Sequence, residues 1–201
     1  MLVPDPGAGV HAGVGGVEAV LPDAAFFGDG AVFGVAVAGH HRGGVFGEGQ
    51  GKGYAEFLIS TLKPFIDTHY RTLPDRSHTG IGGSSMGGLI SAYTGIVHPE
   101  HFSKLMIFSP SFWYSDEIYF DAFKYNYTLP MRMFIYAGEK ESRFMSQHIH
   151  QFKDALAHGF FSSKLTTFNI VIDPDGQHQE KYWGDIFPAA VKWLFFSGEN
   201  G

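Results

Sequence analysis

From about position 53 onward, apolar residues alternate between short continuous runs and stripes of helical spacing. Leu58, Leu62, Phe65 and Ile66 share one face of a helix over 53–70, which Pro64 is expected to kink. Leu73-Pro74-Asp75 reads as a turn. Residues 78–82 form a small-residue strand, after which Met86, Leu89, Ile90, Tyr93 and Ile96 recur at helical spacing. A buried strand over 105–108 stops at Ser109-Pro110, and Ser115 caps a helix over 116–124. A strand over 131–137 ends at Gly138. Met145, Ile149, Phe152 and Leu156 mark a helix that stops at Gly159. A strand over 168–172 and a helix over 189–195 complete the series. Strands that alternate with helices predict an α/β fold: a doubly wound, mostly parallel sheet with helices on both faces.

The first quarter of the chain breaks this pattern. Residues 1–53 hold 15 of the 27 glycines and no Ser, Thr, Asn, Ile, Tyr or Trp. Glycine-rich sequence pays a high ordering entropy and packs weakly. The best element there is the apolar run 31–38, a candidate buried strand, followed by the loop 39–44 with His40 and His41. No linker or repeat divides the chain. Residues 1–201 are expected to form one domain, with 1–52 as an atypical glycine-rich part and 53–201 as the core.

Charge narrows the partners. With 14 basic and 20 acidic residues the net charge is −6, which argues against nucleic acid. The chain has no cysteine, so disulfides and thiolate metal sites are excluded. No apolar run approaches membrane-spanning length, and the start lacks the basic and apolar regions of a secretory signal. A cytoplasmic location is expected, or a periplasmic or secreted one if a leader is removed. A homo-oligomer is compatible with an exposed edge strand.

The candidate chemistry sits between the strand at 78–82 and the helix after it. Gly83-Ser84-Ser85-Met86-Gly87 reads G-x-S-x-G. At a sharp strand-to-helix turn this pattern lifts a serine hydroxyl clear of the sheet, and small neighbours let the backbone double back. The helix that follows points free N–H groups at any developing negative charge, beginning with that of Met86. Ser85 is thus a candidate nucleophile. A serine hydroxyl needs a base within hydrogen-bond reach and an acid to orient that base. In α/β sheets such partners lie just past the C-terminal ends of strands. The loop after 131–137 offers Glu139 and Glu141, and the loop after 168–172 offers His178, with no histidine beyond it. The order Ser, acid, His is that of the α/β-hydrolases. His148 and His150, two apart on one helix, face different ways and make a poor metal pair.

From Tyr54 to Phe195 the sequence resembles the putative esterase family, the esterase D-like branch of the α/β-hydrolases. The likeness is carried by residues 62–67 with 69–72, by the elbow from Gly82 to Leu89, by Phe108-Ser109-Pro110-Ser111-Phe112-Trp113, and by 173–178 with Trp183-Gly184. The resemblance implies a serine carboxylic ester hydrolase that acts through an acyl-enzyme on small or aromatic esters. It needs no metal and no organic cofactor. Alternatives are an acyltransferase using the same residues and a non-catalytic binding protein on the same scaffold. The family sets its acid at the end of a Gly-x-x-acid loop, which here selects Glu141 over Glu139. Phe112, Trp113 and Tyr114, with His41, are expected to contact substrate. The family's second oxyanion donor comes from an N-terminal turn that is altered here, where the N-terminal strands are shortened; the nearest substitutes are Gly30 and His40.

Overall fold

The computed structural model of the protein describes residues 11–14, 17–20, 26–27, 30–31, 51–125, 129–158 and 165–197. Four short strands come first. β1 (His11–Val14) pairs antiparallel with β2 (Val17–Val20), and β3 (Phe26–Phe27) with β4 (Gly30–Ala31). Of the strand expected over 31–38, only Ala31 lies within the described residues, where it pairs with Phe26.

The helix expected over 53–70 is continuous but changes winding ahead of Pro64. α1 (Gly51–Phe57) runs into a π-helical turn, Leu58–Leu62, and then into α2 (Lys63–His69). Pro64 is the second residue of α2, directly after the π-helical turn. The wide turn lets Leu58, Leu62 and Ile66 all reach the core.

The centre of the molecule is a parallel sheet in the order β5 (Gly80–Ser84), β6 (Lys104–Phe108), β7 (Met131–Gly138), β8 (Thr166–Asp173). Ser84 aligns with Phe108 and Phe108 with Tyr136. Gly138 aligns with Asp173, so the C-terminal ends of the strands finish at one rim. Between strands lie α3 (Met86–Val97), α4 (Glu117–Lys124) and α5 (Met145–His158), and α6 (Glu180–Val191) follows β8.

Alternation along β6 and β7 feeds two cores. Leu105, Ile107, Met133 and Ile135 join the first core, beneath α1 to α5. Met106, Phe108, Phe134 and Tyr136 point the other way, onto Ala190, Val191 and Leu194. Helices therefore cover both faces. Each large side chain fully buried there contributes about 1.5–3 kcal/mol of transfer free energy. Phe112, Phe134 and Phe152 are the bulkiest of the fully buried side chains described.

Candidate active site

The elbow is built by close backbone approach. Ser85 lies between β5 and α3, as the N-cap of the helix, with φ 58° and ψ −120°. A non-glycine residue here is strained, and surrounding bonds must hold it. The Ser85 N–H donates to the Phe108 carbonyl at 2.9 Å, and the Ser85 carbonyl accepts from Ser111 N and Leu89 N at 3.1 Å each. A Cβ on Gly83 would lie 2.6 Å from the Gly87 carbonyl oxygen, and one on Gly88 would lie 2.9 Å from that of Phe108. Gly83 of the motif and Gly88 just beyond it are thus required by space. Met86 is the first residue of α3, so its N–H has no intrahelical partner and points with the positive end of the helix dipole.

Three distant loops meet at this rim. His178 Nε2 is 3.0 Å from Ser85 Oγ, and His178 Nδ1 is 2.8 Å from Glu141 Oε2. A carboxylate only accepts, so Nδ1 carries the ring proton and Nε2 accepts from the serine hydroxyl. Glu141 Oε1 accepts from the Gly138 N–H at 2.6 Å and from the Ser109 hydroxyl at 2.7 Å. The Glu141 side chain is 1% exposed, while that of His178 is 42% exposed. Burial pushes the Glu141 carboxyl up, but the bonds from His178, Ser109 and Gly138 outweigh it and hold the group below the ordinary range. Glu139 projects into solvent and gives its backbone N–H to the Asp173 carbonyl at 2.9 Å.

Other candidates are not brought together in this way. Phe112 is fully buried and stacks on Phe152 with centroids 4.6 Å apart. After β6 the chain enters a 3-10 turn, Phe112–Tyr114, whose first ring is packed in the core. Trp113 and Tyr114, next on that turn, are 64% and 54% exposed. Gly30 lies in the two-residue ladder with Phe27. His40 and His41 lie outside the described residues. His148 accepts or donates to the Tyr119 hydroxyl at 2.7 Å across α4 and α5.

Residue typing alone missed Ser109, Ser111 and Trp183. Ser109 and Ser85 are the only non-glycine residues with positive φ among those described. Ser111 Oγ lies 3.4 Å from Ser85 Oγ. The Trp183 indole stands perpendicular to the His178 ring, with centroids 5.0 Å apart. The Ser109-Pro110 pair reads as a strand stop, which conceals that its hydroxyl faces the acid.

Comparison with known proteins bears on the fold and the family. The uncharacterised protein YbbA of Bacillus subtilis strain 168 is 26% identical over 163 residues, covering 76% of this chain and 62% of that protein. The enterochelin esterase of Shigella flexneri superposes with a TM-score of 0.59 at 18% identity, over 71% of this chain and 37% of the other. A mutant feruloyl esterase module from Clostridium thermocellum, complexed with sinapinate, gives 0.58 at 17% identity, over 77% and 62%. The chain thus spans less than two thirds of the length of each, and the two structural likenesses establish the α/β-hydrolase fold. The model of the family described as putative esterase matches residues 35–194 of the 201. The chain belongs to the putative esterase family.

Proposed function

We propose that the protein is a serine carboxylic ester hydrolase acting through an acyl-enzyme. One observation carries this reading: a single imidazole lies within hydrogen-bond reach of both Ser85 Oγ and a buried carboxylate. Ser85 Oγ attacks the ester carbonyl carbon while its proton passes to His178 Nε2. Glu141 fixes the tautomer and stabilises the imidazolium. The carbonyl oxygen, now negative, is met by the Met86 N–H at the start of α3. His178 returns the proton to the leaving alcohol, and water then repeats the sequence to free the acid. The second oxyanion donor comes from the N-terminal part, with Gly30 and His40 as candidates and His41 beside the substrate. Trp113 and Tyr114 offer exposed rings near the elbow, a setting for small or aromatic acyl or alcohol groups.

Ser85→Ala tests this directly. It should lower p-nitrophenyl acetate turnover by at least about a thousandfold, abolish fluorophosphonate labelling, and leave the far-UV circular dichroism unchanged. Undiminished turnover would remove Ser85 from the chemistry.

A further inference from the structure

We infer that Trp183 and Ser109 are positioning residues that lock Glu141 and His178 into one geometry; this rests on the ester-hydrolase reading. The Trp183 indole Nε1 lies 2.8 Å from Ser109 Oγ, which lies 2.7 Å from Glu141 Oε1. The direction of this relay is forced. An indole nitrogen only donates, so Ser109 Oγ must accept from it. The one proton of that hydroxyl is then left for the carboxylate. Trp183 also stands against the His178 ring, so a single side chain from the first turn of α6 touches the base and, through Ser109, sets the acid.

Two further features support the assignment. Glutamate has one more side-chain torsion than aspartate, so a bond to His178 alone leaves its carboxylate free to swivel. Here the far oxygen is pinned by Ser109 and by the Gly138 N–H. Ser109 itself is fully buried and held at φ 43°, with its N–H on the Tyr136 carbonyl at 2.6 Å. Strain of this kind persists where the surroundings over-determine a residue, and it collects at functional sites. The other such residue described is Ser85.

A mutant cycle separates positioning from general packing. Trp183→Phe keeps a ring against His178 and deletes the indole N–H. Ser109→Gly deletes the hydroxyl and suits the positive φ; either variant suffices if the other fails to fold. Each should lower kcat for p-nitrophenyl acetate about tenfold, the order of one hydrogen bond to a charged group, with KM changed less than twofold. In a Glu141→Ala background the same changes should alter the rate less than twofold, because their target is gone. Rates of fluorophosphonate labelling of Ser85 give the comparison where turnover is slow. The inference fails if kcat is unmoved, if KM alone shifts, or if the full loss persists without Glu141. Undiminished turnover in Ser85→Ala would instead sink the ester-hydrolase reading.

Discussion

Glu141 is a buried acid with both oxygens committed, one to His178 and the other to Ser109 and Gly138. Burying a carboxylate is costly unless charge-assisted bonds replace its water, and here three donors do so. Because the folded-state pKa lies below the usual value, ionised Glu141 stabilises the fold. That contribution is complete above the ordinary glutamate range, about 4.3, and is lost as pH falls through the depressed folded value. Glu141→Gln should therefore be less stable than the parent at pH 7, and the gap should narrow as pH drops below the ordinary glutamate range. Urea midpoints at several pH values check this; parallel curves for the two proteins would contradict it.

At the scale of elements, the loops after β7 and β8 are sewn together. Glu139 N donates to the Asp173 carbonyl at 2.9 Å and Lys140 N to that of Gly176 at 3.1 Å. The backbones at Gly138 and Gly176 meet so closely that a Cβ on Gly138 would sit 2.2 Å from the Gly176 carbonyl carbon. Gly138→Ala should cost roughly 1–3 kcal/mol by overpacking and reduce kcat further by parting acid from base. Gly184→Ala, on α6 with nothing within 4 Å of the added methyl, is the control and should match or exceed the parent in stability. Equal melting temperatures for the parent and Gly138→Ala would refute the packing argument.

Elements with a clean period were legible from residues alone. β7 and α5 carry unmixed apolar patterns, and each was placed to within a residue or two. α6 was not. It begins at Glu180, nine residues before the expected start, because its first two turns are polar and aromatic and Pro188 reads as a breaker. The π-helical turns at Leu58–Leu62 and Lys192–Phe196 have no period of their own to betray them. Within the candidate site, strand-end loops and chain order pointed to Ser85, His178 and either Glu139 or Glu141, and the family resemblance chose Glu141. Ser109 was not, since its importance depends on which way a strained hydroxyl points. Phe112 and Trp113 are adjacent aromatic residues that look alike in sequence, yet the turn packs the first in the core and leaves the second exposed.

Across the whole molecule, one parallel sheet separates two cores and delivers every strand end to the same rim. The rungs of that sheet do not stop where the strands do. The Ser85 N–H hangs on the Phe108 carbonyl, and the Ser109 N–H on that of Tyr136. Two turn residues are thereby tied into the most protected part of the structure. Their amides should exchange with deuterium as slowly as those of Ile107 and Ile135, orders of magnitude behind the exposed turn at Trp113 and Tyr114. If Ser85 and Ser109 exchanged as fast as that turn, the two serines would be ordinary loop residues. Slow exchange would mean that the proposed nucleophile can be displaced only by opening the sheet, so the molecule would lose that chemistry and its fold in one event.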